Sequence, residues 1–145
     1  MSAIYPVAKQ AFLTGALNWD NNQDIRVKLI SVDAADGSPA QYVYGAGHTD
    51  VTNATDFPPG SFIGGVDGDV ELENLVAEDG IAKADNTVFT GVSSGGVKAT
   101  ALLIYNSVNN MPLVLIDSAS NFPVTPNGGD ITIFWDNTTG AIFQL

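Results

Sequence analysis

The stretch Val97-Lys-Ala-Thr-Ala-Leu-Leu-Ile-Tyr105, followed by Pro112-Leu-Val-Leu-Ile116, decides the fold class of this chain. Both runs are nearly continuous in apolar residues, which suits strands covered on both faces rather than strands with one wet side. Asn109-Asn110 stands between them, and Asn suits a tight turn because it tolerates left-handed backbone. Working outward, the chain from Asp69 onward reads as strand after strand. Val70 and Leu72 alternate with Glu71 and Glu73, Asp79-Gly80 marks a turn, and Lys83 to Val92 alternates again before Ser93-Ser-Gly-Gly96 turns. Asp130 to Trp135 and Ala141 to Leu145 finish the series as two apolar runs joined through Asn137 to Gly140. A chain ending in such a run is expected to tie its end into a sheet.

The first half is more mixed. Val7 to Leu17 is the helix candidate, with Ala8, Ala11, Phe12 and Gly15 at helical spacing and Pro6 suited to a first turn. Asn18 to Asp24 is polar and reads as loop. In Asp24 to Val32, Ile25, Val27 and Leu29 point one way and Arg26 and Lys28 the other, the pattern of a half-buried strand. Ala34 to Pro39 is a turn cluster, Gln41 to Tyr44 a short strand, and His48 to Thr55 one turn of helix. Asp56-Phe-Pro-Pro-Gly-Ser61 is a break, because adjacent prolines extend neither a helix nor a central strand. Short strands at intervals of roughly 8–15 residues, with Gly, Asn and Asp between them, predict a mainly β chain. We expect an antiparallel β-sandwich or small barrel with one short N-terminal helix, as a single domain over 1–145 with residues 1–6 as an N-terminal arm.

Sixteen acidic residues face five basic ones, for a net charge of −11. Nucleic acid would repel such a surface, so the expectation is no nucleic-acid partner. No run approaches the ~18 apolar residues of a membrane-spanning helix, so no membrane partner is expected either. The N-terminus lacks the basic region and apolar core of a signal peptide, which points to synthesis in a cytoplasm. Without cysteine there is no thiolate nucleophile or sulfur-ligated metal.

Catalytic and metal signals are thin. His48 is the only histidine, and no nucleophile-elbow pattern accompanies it. It reads as a surface or hydrogen-bonded structural residue. Asp67-Gly-Asp-Val-Glu-Leu-Glu73 carries four carboxylates, yet the calcium-loop pattern asks for Gly where Leu72 stands. An acidic strand face explains it better. No carboxylate pair is marked out for glycoside hydrolysis, and Trp19 and Trp135 sit in stretches that read as core edge. We therefore expect no enzyme, no cofactor and no metal. Three features suit a partner interface. Arg26 and Lys28 share a strand face, either a contact patch for a carboxylate-rich partner or a solvated face. Phe57, Phe62 and Ile63 sit in a turn-rich segment, and Ile4 and Tyr5 lie near the start. These apolar residues form an exposed interface or else cap the core.

Two stretches carry a resemblance. Ala8-Lys-Gln-Ala-Phe-Leu-Thr-Gly-Ala-Leu-Asn-Trp19 and Phe122-Pro-Val-Thr-Pro-Asn-Gly-Gly-Asp-Ile-Thr-Ile-Phe-Trp-Asp-Asn-Thr-Thr-Gly-Ala-Ile-Phe-Gln-Leu145 resemble small virion proteins of tailed bacteriophages, the capsid-stabilising or head-decoration (cement) proteins. The resemblance implies attachment to the outer capsid surface of the virion, bridging major capsid protein subunits, commonly as a homotrimer, after synthesis in the host cytoplasm. The other expectation is a virion-associated receptor- or carbohydrate-binding module without catalysis.

Overall fold

The computed structural model describes residues 2–32, 42–63, 68–93, 97–117, 122–136 and 141–145. In chain order they form β1 (Ser2–Ile4), α1 (Pro6–Thr14), β2 (Ile25–Ile30), a 3-10 turn (Pro59–Ser61), β3 (Asp69–Glu71), β4 (Val76–Glu78), β5 (Ile81–Lys83), β6 (Thr87–Phe89), β7 (Ala101–Asn106), β8 (Met111–Ile116), β9 (Ile131–Ile133) and β10 (Ala141–Gln144). The chain is mainly β with antiparallel sheets and one N-terminal helix, the architecture expected of a sandwich with a short helix.

The two apolar runs form the spine. All of β7 is buried, and so is all of β8 beyond Met111. Their hairpin turns at Asn110, whose φ of 58° is the left-handed region that Asn accepts. Side chains hold the turn in place: Val108 N donates to Asn106 Oδ1 at 2.9 Å and Met111 N to Asn109 Oδ1 at 3.2 Å. Around the hairpin runs a five-stranded sheet in the order β1-β8-β7-β2-β3. One apolar row crosses all of it: Ile4 opposite Val114, Val114 opposite Ile104, Ile104 opposite Val27, Val27 opposite Val70. Cross-strand rows of β-branched residues set the register, because a one-residue slip would turn them to the other face.

A three-stranded sheet, β10-β5-β4, and a two-stranded pair, β6 with β9, complete the strands. The β4–β5 hairpin has a two-residue loop, Asp79-Gly80, with φ of 53° and 77°. That left-handed pair matches the twist of a two-residue hairpin. α1 starts with Pro6 in its first turn and packs on β8, burying Ala8 and Ala11. β10 then lies against the helix: Phe143 sits 6.2 Å from Phe12 and 5.1 Å from Trp19, ring centre to ring centre. The Trp19 indole donates to Lys83 O at 2.9 Å and so ties this corner to β5.

The structure corrects several expectations. Of the expected N-terminal arm, Ser2–Ile4 form β1, which pairs with β8, and Tyr5 N donates to Leu113 O at 2.9 Å, while Met1 lies outside the described residues. Without β1, the apolar strand β8 would present an open edge. The helix stops at Thr14 rather than Leu17, because Gly15 adopts a left-handed φ of 74° and caps it. The last two apolar runs, which the sequence joins through a turn, pair with strands elsewhere: β9 with β6 and β10 with β5. Residues 48–55 form turns, not a helix, held by side chains that compete for the backbone. Asp50 Oδ1 accepts from Thr52 N at 2.8 Å and Asn53 Oδ1 from Thr55 N at 3.0 Å. Val97 to Thr100 precedes the strand proper, with Ala99 bridging Val124 instead. Of the expected strand at Gln41 to Tyr44, Tyr42 makes a single bridge to Val32. Gln41, the turn cluster Ala34 to Pro39, the Gly residues after Ser93 and the Asn137 to Gly140 connection lie outside the described residues. No helix among the described residues is long and apolar enough to cross a membrane.

Candidate functional site

The residues that sequence reasoning offered for an interface go mostly inside. Tyr5 is fully buried, Phe57 is 1% exposed and Ile63 2%. Tyr5 and Phe57 belong to one aromatic cluster: Phe57 stacks on Tyr42 at 4.7 Å with ring planes 12° apart, and Tyr5 lies 6.4 Å away, while Ile63 N donates to Leu29 O at 3.0 Å. Phe62, also buried, bridges Ile30 at the sheet edge. The turn-rich segment therefore caps the core, and these four residues are withdrawn as a surface. The cause is physical: residues 57–63 are the cover that hides a face of β2 from water, and only large side chains fill that role.

Polar groups inside the cluster are matched to one another. Tyr5 and Tyr42 share a hydroxyl hydrogen bond of 2.5 Å, and Tyr42 Oη lies 3.1 Å from His48 Nδ1. His48 Nε2 faces Asp56 Oδ1 at 3.7 Å. Burial pushes the Tyr5 phenol well above its ordinary value and raises that of Tyr42 as well. Such phenols stay protonated and act as hydrogen-bond partners, not nucleophiles. His48 is the structural histidine of the two expected readings, a link in this chain of contacts.

Arg26 and Lys28 also differ from expectation. Arg26 Nε lies 3.0 Å from Asp24 Oδ1, and its guanidinium 3.7 Å from Asp69. Asp69 in turn accepts from Tyr105, and Asp24 from Ser107. Lys28 is 5% exposed, with its ammonium 4.6 Å over the Phe62 ring and 5.2 Å from Tyr105. Neighbouring segments supply acids to Arg26 and aromatic rings to Lys28, so this strand face is not an open basic patch. Asp69 from the acidic run is used here, Glu71 and Glu73 are exposed, and Asp67 lies outside the described residues. Among the described residues no group of three or more His, Cys, Asp or Glu is placed to hold a metal.

Phe62 and Ile63 reach a wider cleft, and of the rest of the expected interface set Ile4 lines an open apolar surface. It shares a groove of about 400 Å³ with Lys9, Phe12, Leu13, Gln144 and Leu145. Leu13 is 85% exposed and Leu145 61%. Single exposed apolar residues are ordinary, and Val43, Val88 and Val108 here are of that kind. Adjacent ones around a concavity are not. Three elements build the groove: the edge strand β1, the outer face of α1, and the end of β10, where Leu145 N donates to Gly80 O at 3.0 Å. Lys9 and Leu13 are four apart on the helix and so form one ridge. The sequence carried a signal for this: Leu13 falls off the packed face of Ala8 and Ala11, beside Lys9 and Gln10, where a polar residue would be cheaper. The remaining groove residues had no such signal.

A second, wider cleft of about 840 Å³ runs past Phe62, Asp69, Glu71, Phe89 and Val92. Its lining includes Ile63, Gly68, Ser93 and Val97, and residues 64–67 and 94–96 lie outside the described residues. Comparison with known proteins brings no match: no family model, no curated protein and no solved structure is similar enough to this chain to carry an argument.

Proposed function

We propose that this chain is a structural virion protein that decorates and cements the outside of a tailed-phage capsid, bridging major capsid subunits without catalysis. The observation that supports the reading is spatial. The two stretches resembling head-decoration proteins, residues 8–19 and 122–145, lie far apart in sequence, yet Phe12 and Trp19 from one pack on Phe143 of the other. Their meeting point opens into the apolar groove of Ile4, Phe12, Leu13 and Leu145. A surface that costs solubility and is built from both stretches is best explained as a docking face. Binding only the expanded shell favours that shell by mass action. Contacts to several subunits at once multiply through effective concentration.

The test is co-sedimentation of purified protein with expanded heads that lack it, followed by a heat challenge. The protein should pellet with the heads, and heads without it should break at lower temperature. Failure to bind fully expanded heads would overturn the reading. One observation favours the second reading, a receptor- or carbohydrate-binding module: the Phe134 ring is 61% exposed beside Trp135. Binding to a glycan array that Phe134→Ala removes would support it.

A further inference from the structure

We propose that the groove between β1, α1 and β10 takes an extended segment bearing a large apolar residue and a nearby Asp or Glu. Its source, the shell protein beneath, rests on the decoration reading above; its chemistry comes from the groove itself.

Charge selects the occupant. On a molecule of net charge −11, with five basic residues, cations are scarce. Arg26 is paired with Asp24, Lys83 with Glu78, Lys28 lies over two rings, and Lys98 is also engaged. Lys9 is the exception. The residue is exposed, and its side chain makes no ion pair or hydrogen bond with another described residue. It sits on the groove wall, and among the described residues no Asp or Glu side chain lines that groove. An acidic segment is repelled by most of this surface and attracted here, so the charge pattern selects position as well as sign. A second copy docked groove to groove across a two-fold axis would set Lys9 against Lys9, which disfavours self-pairing as the occupant.

Spacing sharpens the chemistry. Lys9 and Leu13 stand one helical turn apart, with Cβ atoms about 5–6 Å from each other. In an extended chain, residues two apart on one face lie about 6.6 Å apart at about 3.3 Å per residue. A Leu or Phe resting on Leu13 and Leu145 therefore carries a carboxylate to Lys9 when an Asp or Glu stands two positions away. The Gln144 amide, at the groove end, is exposed and offers both a donor and an acceptor to the segment's backbone.

The experiment titrates isotope-labelled full chain with three decapeptides at millimolar concentration. One carries Leu-Thr-Glu, and the others replace that Glu with Gln or Lys. The amide signals of Lys9, Leu13, Gln144 and Leu145 should shift with the acidic peptide. The Gln peptide should bind about three- to fivefold more weakly, the scale of a single exposed ion pair. Lys9→Glu should reverse the order in favour of the Lys peptide, and Leu13→Asp should remove binding to all three. Both side chains are exposed, so an unchanged melting temperature certifies the fold of either variant. Equal affinity for the three peptides, shifts confined to other residues, or no shift at all would overturn the proposal. So would peptide-free self-association that masks Leu13. The same variants are then sedimented with heads. Parent binding with Lys9→Glu and Leu13→Asp unaffected would sink the groove and spare the decoration reading. Peptide selectivity without head binding would do the reverse.

Discussion

Phe57 separates a core reading of the turn-rich segment from a surface reading. Its ring is 1% exposed and stacked at 4.7 Å on Tyr42, with His48 5.4 Å away edge-on and Tyr5 at 6.4 Å. Truncation to Ala deletes the transfer energy of a buried ring and leaves a void that three rigid neighbours fill poorly. Phe→Ala in a core costs about 3–5 kcal/mol. The upper half applies here, because Tyr5 and Tyr42 hydroxyls depend on the same packing for their mutual hydrogen bond, and a loosened buried hydroxyl costs about 1–3 kcal/mol. We expect about 4 kcal/mol, a large share of the ~5–15 kcal/mol that holds a domain together. For a chain of this size that is a fall in melting temperature of roughly 12–16 °C. Leu13→Ser is the control: at 85% exposure it should change stability by under about 0.5 kcal/mol. Urea denaturation, with the slope checked for constancy, measures both. A Phe57→Ala loss below about 1 kcal/mol, or a larger loss for Leu13→Ser, would refute the burial argument and return Phe57 to the surface.

Two further outcomes are expected. Tyr5, Tyr42 and Tyr105 are all held above the ordinary phenol value of 10.0, chiefly by burial. Protons are thus kept by the folded state and lost by the unfolded one, so stability is level below pH 10 and falls as pH rises beyond it. Phenolate absorbance for these three should rise together with loss of near-ultraviolet dichroism; smooth ionisation near pH 10 in a still-folded protein would contradict it. Removal of residues 141–145 should cost about 2–4 kcal/mol, because half-buried Ile142 and Phe143 leave the core and β5 loses a partner, though exposed Leu145 adds little. A truncated protein with unchanged melting temperature would show that β10 is dispensable.

The strands were legible because their signals are local. β2 falls inside the stretch that alternation marks out, β7 and β8 match their apolar runs but extend one residue beyond them at Asn106 and Met111, and the Asp79-Gly80 and Asn109-Asn110 turns stand where their residue types require. Pairing was not legible. Adjacent strands β9 and β10 look like a hairpin, yet each finds a partner elsewhere, β6 and β5. Local patterning does not encode which edge a strand meets; that depends on apolar rows such as Ile4 to Val70, assembled from five strands. The helix end was misread for a smaller reason. Gly15 fits the helical spacing of Ala8 and Ala11, but its freedom at positive φ makes it a better stop than an interior residue.

The interface was misread because residue type is ambiguous without depth. Phe57, Phe62 and Ile63 among prolines and glycines look like stranded apolar groups, and the same composition is needed by a loop that must seal a sheet. Arg26 and Lys28 look like a basic face until β3 and β7 bring Asp69 and Tyr105 beside them. Much of the deciding packing comes from more than 30 residues away, as Asp69 to Tyr105 and Tyr5 to Tyr42 do at separations of 36 and 37, although Phe57 and Arg26 also meet nearer partners in Tyr42 and Asp24. Leu13 is the converse. Its exposure follows from helical geometry alone, since the face it occupies is shared with Lys9 and opposed to Ala8 and Ala11. An apolar residue that the fold could bury and does not is more informative than one whose setting is ambiguous. Once the long-range contacts absorb the aromatic cluster and the Arg26–Lys28 face, what remains unabsorbed is Leu13, Leu145 and the cation beside them.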